Sequence, residues 1–182
     1  FRSTQVAVGA EELNVLCAQG APVEQRRMAR ENGLRPPFIQ PIRCCEVLIE
    51  GLRIEGSPFW TVHPVYCERI IVRGLSIHTR GPNTDGINLD SCRDGLVEHC
   101  HIDTGDDSIC LKSGINEDGR RVGIPCERVV IRHCSTEGGH GAVTVGSEMS
   151  GGVRQIYCHD YRIRYNDRAV RIHHFCERRS CR

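Results

Sequence analysis

Three carboxylates arrive in two short, glycine-flanked turns of this chain. Asp85 lies in Asn83-Thr84-Asp85-Gly86, and Asp106 and Asp107 follow Gly105. Each turn runs into a strand-like stretch, Ile87-Asn88-Leu89 in the first and Ser108-Ile109-Cys110-Leu111 in the second. Gly139-His140-Gly141 and Arg171-Ile172 hold the same kind of position further along. Crowding three acids raises the pKa of at least one of them by like-charge repulsion, which leaves a carboxyl able to stay protonated near neutrality. One protonated and one ionised carboxyl can cleave a glycosidic bond.

Two other readings compete. Asp, Asn and Gly are turn formers, and a single such Asp would serve only to close a loop. Clustered carboxylates also attract calcium. Three acids on adjacent turns, followed by His140 and Arg171, favour catalysis over loop closure, and a cation at Arg171 disfavours a metal. His140 sits one residue ahead of its strand, as Asp106 does, and could orient a carboxylate or bind a substrate hydroxyl. Arg171 presents a planar fork suited to a carboxylate, hence to an acidic sugar. Lys112 and His173 could add positive charge along the same face, Lys112 being otherwise a solvated side chain. The catalytic candidates are therefore Asp85, Asp106, Asp107 and His140, and the substrate-binding candidates Asn83, Lys112, Arg171 and His173. No metal ligand and no cofactor is expected.

The elements that position these residues follow from an internal repeat. Segments starting at Val47, Ile70, Gly95, Val129 and Ile156 align, at separations of 23, 25, 34 and 27 residues. Each has apolar residues at alternating positions, as a strand with one face in a core would. A second column starts at Phe59, Asp85, Asp107, Gly141 and Arg168 and advances with the first. The longer step contains Asn116–Arg121, a polar surface loop. Two strand columns at a period near 25, with no room for intervening helices, predict an all-β fold, a parallel β-helix. In such a stack Asp85 and Asp107 are equivalent and close. Asp106 and Asp107 would face opposite ways in a regular strand, so the chain must bend at Gly105.

Twelve cysteines suggest a disulfide framework or a zinc protein, but paired C-x-x-C knuckles are missing. Cys44, Cys67, Cys92 and Cys126 each precede a first-column segment by three residues, and Cys100 and Cys134 share its sixth position. These are expected to form ladders of buried thiols. The 182 residues carry a net charge of +1, which favours neither nucleic acid nor a membrane surface as partner, and a monomer is expected. Aromatics are only 5%, and the abundant glycine fits many short strands with tight turns. Residues 1–36 read as a helix or loop over one end of the domain, with Val23–Arg30 helix-compatible. Residues 37–174 form the β-helix, and 175–182 a divergent tail. No signal peptide is recognisable, and the compartment is not readable.

Taken in order, Asn83-Thr84-Asp85, Gly105-Asp106-Asp107, Gly139-His140-Gly141 and Arg171-Ile172 resemble the signature of glycoside hydrolase family 28, the polygalacturonases. Ser57-Pro58-Phe59-Trp60 with His63-Pro64, and Gly146–Gly152, resemble its bacterial branch, in which exo-acting members are common. The resemblance runs from Leu34 to Arg171. It implies a right-handed parallel β-helix, here incomplete at both ends. It also implies hydrolysis of α-1,4-galacturonosyl links in pectin or polygalacturonate, with inversion. By the same resemblance Asp106 is the general acid and Asp85 and Asp107 activate water, while Asn83, His140 and Arg171 position the galacturonan. The family's Arg-Ile-Lys reads Arg171-Ile172-His173 here. The rival readings are a calcium-dependent pectate lyase and a non-catalytic carbohydrate-binding β-helix.

Overall fold

The computed structural model describes residues 3–28 and 32–174, so the expected tail at 175–182 lies outside the described residues. Phe1–Pro36 and Pro37–Arg182 are separate compact units. In the first, the helix falls earlier than expected. It is α1 (Ser3–Ala18), whereas the described part of the Val23–Arg30 segment, residues 23–28, forms a 3₁₀ turn at Val23–Gln25. The reason is a helix stop ahead of that segment. Gly20 takes φ 69°, and its N–H and that of Ala21 donate to Cys17 O and Leu16 O, the two bonds that close a Schellman end. Pro22 then holds an extended backbone.

The second unit is a stack of coils, each built from up to three strands. The strands are β1 (Cys45–Glu50), β2 (Arg53–Glu55), β3 (Glu68–Arg73), β4 (Ser76–His78), β5 (Ile87–Asp90), β6 (Arg93–Glu98) and β7 (His101–Asp103). They continue as β8 (Ile109–Lys112), β9 (Cys126–Arg132), β10 (Ser135–Glu137), β11 (Gly141–Ser147), β12 (Val153–His159), β13 (Arg162–Arg164) and β14 (Arg168–His174). Among the described residues every strand pairing is parallel, and three sheets result, ordered β1-β3-β6-β9-β12, β2-β4-β7-β10-β13 and β5-β8-β11-β14. This is a right-handed parallel β-helix.

Two columns were expected and three sheets are present. Each first-column segment breaks at its fifth residue (Gly51, Gly74, His99, His133 or Asp160), and all five have φ between 51° and 66°. That left-handed residue turns the chain from the first sheet into the second. Gly, Asp and His accept the conformation more readily than branched residues do. In the inner coils the apolar side chains at positions one, three, six and eight are buried, because the turn inserts one extra residue into the alternation. The Asn116–Arg121 insertion is also more ordered than a loop. It forms helix α2 (Asn116–Val122), with Glu117 and Asp118 in its first turn, Arg120 and Arg121 in its last, and Gly123 closing it at φ 63°.

In-register stacking produces apolar ladders. Ile49, Val72, Val97 and Ile131 form one row, Ile54, Ile77 and Ile102 another, and Ile87, Ile109 and Val143 a third, all buried. Each fully buried aliphatic side chain contributes about 1.5–3 kcal/mol. Cysteine ladders mark the corners. Cys67, Cys92 and Cys126 are buried at equivalent positions, as are Cys100 and Cys134. Their thiols cap turn carbonyls: Cys92 Sγ donates to Asp90 O and Pro64 O, both at 3.3 Å. All ten described cysteines are free. Burial pushes the Cys126 thiol up to about 12, and that of Cys92 up as well.

On the solvent side of the first sheet, charge alternates from coil to coil. Glu50, Arg73, Glu98 and Arg132 stack in one row and Glu68, Arg93, Glu127 and Arg154 in a second. Glu46 pairs with Arg69, and Asp94 with Arg128, in a third. The arginines stay in solvent while Glu98 and Glu127 are buried beneath them, and ion pairs on such an open face add little stability each. The thiol ladders give a direct test. Alkylation of the native protein, mapped residue by residue by mass spectrometry, should modify exposed Cys45 and Cys158 while sparing Cys92 and Cys126 until denaturant is added. Rapid native modification of Cys92 would contradict the ladder.

Candidate active site

The three carboxylates and their cationic neighbours gather in one cleft of about 260 Å³. It is lined by Asn83, Asp85, Asp106, Asp107, His140, Arg171, Lys112 and His173, which together are all the site residues expected from the sequence. Trp60, Ser147 and Glu148 complete it. The register that aligns Ile87 with Ile109, and Ile109 with Val143, also sets Asp85 level with Asp107 and Asp107 level with Gly141. Asp85 and Asp107 each offer an oxygen in a group whose ligand atoms lie within 4.8 Å of one another, with Cys110 the third member. Two carboxylates and a thiol fall short of the six to eight oxygens that calcium takes.

Arg171 lies inside β14, as the strand column starting at Arg168 places it and not in a turn, and it is paired in register with Thr144 of β11. Its guanidinium still reaches back, with Nη1 3.8 Å from Asp107 Oδ1 and Nη2 3.4 Å from His173 Nδ1.

The bend expected at Gly105 is present, and its cause is contact rather than an unusual dihedral angle. A Cβ on Gly105 would come within 2.5 Å of the Gly81 backbone. The turn is fixed from within by Asp106, whose Oδ1 accepts from Asp107 N at 2.9 Å and whose Oδ2 accepts from Asn83 N at 3.1 Å. His140 Nδ1 stands 3.4 Å from Asp106 Oδ1. Gly141 donates its N–H to Asp107 Oδ1 at 2.8 Å, and a Cβ there would press on that same oxygen. The two glycines around His140 therefore exist for close approach. Gly139 takes φ 92° and would otherwise strike Asp106 O.

The electrostatics separate the acids. Asp85 is buried, and desolvation, reinforced by Asp106 and Asp107, pushes it up to about 7 even though Lys112 pulls it down. Burial, more than the expected like-charge repulsion, is the main cause. Asp106 is the most exposed of the three side chains flanking the cations, at 20%, against 9% for Asp107.

Lys112 is not the solvated side chain that the sequence suggested. It is 4% exposed, and Nζ donates to Glu148 Oε2 at 2.6 Å and to Gly146 O at 3.1 Å. The ammonium lies 4.5 Å from the centre of the Trp60 ring. Burial opposes its charge, yet neighbouring acids, Glu148 and Asp85 among them, hold it above its usual value. Trp60 is braced in turn by Phe59, stacked at 5.1 Å, and by the edge of His63 at 4.7 Å. Sequence reasoning missed Trp60 and Glu148 as site residues, although both fall in short motifs that it singled out.

The model for "Glycosyl hydrolases family 28" matches residues 6–178. This chain belongs to that family. The match extends past Leu34–Arg171 at both ends and enters the tail expected to diverge. A "Probable polygalacturonase" of Vitis vinifera is 39% identical over 141 residues, covering 76% of this chain and 29% of that protein. The crystal structure of a hyperthermoactive exopolygalacturonase from Thermotoga maritima superposes with a TM-score of 0.86 at 42% identity, covering 90% of this chain and 37% of that one. A family 28 exopolygalacturonase of Yersinia enterocolitica, at 14% identity and a TM-score of 0.67, shares the fold. The family 28 chain thus spans about a third of the length of these relatives.

Because the fold raises the proton affinity of Asp85, the ionised form destabilises the protein. The penalty is absent below the unfolded value near 3.8 and grows until the pH reaches about 7. Asp85→Asn lacks this penalty. Its stability relative to the unmodified chain should therefore improve by roughly 3 kcal/mol between pH 5 and pH 8. Denaturant unfolding at the two pH values measures it, and an unchanged difference would refute the burial argument.

Proposed function

We propose that the chain carries a polygalacturonase-type site that hydrolyses α-1,4-galacturonosyl linkages of pectin or polygalacturonate with inversion. The observation that carries this is the set of three unequal carboxylates in one cleft: Asp106 half-buried, Asp85 and Asp107 buried, and Arg171 beside Asp107. An acidic polysaccharide needs such a mixture of acids for chemistry and cations for grip. The names of the relatives in Vitis vinifera and Thermotoga maritima support the substrate.

In this reading Asp106 delivers its proton to the glycosidic oxygen as that bond breaks, with His140 orienting its carboxyl. A water held between the Asp85 and Asp107 oxygens attacks the anomeric carbon from the opposite side. Its proton passes to a carboxylate of that pair, and the released sugar has inverted configuration. Inverting glycosidases keep acid and base about 6.5–9.5 Å apart to admit that water. Asn83 offers hydrogen bonds to sugar hydroxyls. Arg171, with His173 against its outer nitrogen, takes the carboxylate of a galacturonate unit. Lys112 sits further back, where it holds Trp60 and Glu148 as a wall of the cleft. Exo action is supported by the exopolygalacturonase structures that this chain resembles.

The test is reducing-end release from polygalacturonate with EDTA present, followed alongside ultraviolet absorbance. New reducing ends without absorbance are expected. Asp106→Asn should lower kcat by about 10²–10⁴-fold, the usual contribution of a general acid. Absorbing, unsaturated products that vanish with EDTA would instead indicate a calcium-dependent lyase. Full activity in Asp106→Asn would overturn the acid assignment.

A further inference from the structure

The corner between the first and second sheets carries a group of side chains that the cleft does not use. Register places His99 beside His133, and His133 beside Asp160, on three successive coils, with His159 one residue before Asp160. All four side chains are exposed. The rings of His99 and His133 stack at 5.1 Å and 16°, and His159 meets His133 edge-on at 6.0 Å. Asp160 Oδ2 lies between two imidazoles, 2.8 Å from His159 Nδ1 and 3.9 Å from His133 Nδ1.

We propose that His133, His159 and Asp160, with His99 as a fourth donor, form a surface site for a divalent transition-metal ion of the zinc class. Imidazole and carboxylate donors select such ions over calcium and magnesium, which prefer all-oxygen shells. Zinc binds nitrogen and oxygen at about 2.0–2.2 Å, so tetrahedral ligand atoms stand about 3.3 Å apart. The two distances to Asp160 Oδ2 straddle that value. The donor atoms of His133, His159 and Asp160 do not all lie within 4.8 Å of one another, so an ion would have to draw the exposed rings together by side-chain rotation over backbones that ladder pairing fixes.

The bound ion would clip together coils four and five of the first sheet, and the third through His99, whose histidines are far apart in sequence. None of these residues lines the cleft, so the inference stands independently of the hydrolase reading. The cleft has its own donors in Asp85, Asp107 and Cys110 with His140 and His173 nearby, so a nitrogen signal is assigned to the corner by its loss in variants of the corner histidines.

The experiment uses tag-free protein and two probes. Titration with Zn²⁺ in a calorimeter should show saturable binding at this site and a rise in the thermal midpoint, since an ion that binds only the folded state stabilises it. Cu²⁺ at one equivalent should give an electron paramagnetic resonance spectrum with coupling to imidazole nitrogens. His133→Ala with His159→Ala should weaken Zn²⁺ binding at this site by more than the roughly 10- to 100-fold that loss of an outer-shell partner costs. It should also abolish the nitrogen coupling, whereas His99→Ala has a smaller effect. Zn²⁺ affinity and a nitrogen-coupled Cu²⁺ spectrum that both survive the double variant would overturn the proposal. So would the absence of saturable binding.

Discussion

Everything in the second unit depends on one constraint: parallel strands of successive coils pair in register, about 4.8 Å apart. Once the register is set, a residue type at one position of a coil becomes a row running along the stack. Ile, Val and Leu rows fill the interior, cysteine rows cap the corners, and at the third sheet the same geometry brings Asp85 level with Asp107. Asp106 joins them because its own carboxylate accepts the next N–H and bends the chain outward. The site is thus a local disturbance of a regular ladder, held open by glycines that let backbone and carboxylate approach closely.

This dependence explains how much could be read from the chain. The shared steps of the two columns fix the register, so the equivalence of Asp85, Asp107 and Gly141 and the thiol rows were both legible. The corner at Gly51, Gly74, His99, His133 and Asp160 was not. An inserted left-handed residue keeps the inward pattern going on both sides and so imitates one longer strand. Helix α2 was hidden by its polarity and by an extended Ile115 in place of a side-chain cap.

Within the site, residue types were legible and environments were not. Alternation along β8 places Lys112 on the outward face, which normally means solvent. Its actual cover comes from Trp60 and Glu148, brought in by other coils. Spacing likewise says that three acids meet, but it does not show that burial holds Asp85 near neutrality. The depth of Asp85 is a property of the packed stack that no short motif encodes.

The alternating charges on the outer face of the first sheet have a consequence for how such a chain can lengthen or shorten. Three rows change sign at every coil. Removing the single coil that carries Arg93, Asp94 and Glu98 would set Arg73 against Arg132, Arg69 against Arg128 and Glu68 against Glu127, turning attraction into repulsion in all three rows at once. Removing two adjacent coils instead brings opposite charges together, Glu50 against Arg132 and Glu46 against Arg128 in one case and Glu68 against Arg154 in another. The surface therefore behaves as a parity check on the repeat: gain or loss of coils in pairs is electrostatically silent, while gain or loss of one is not.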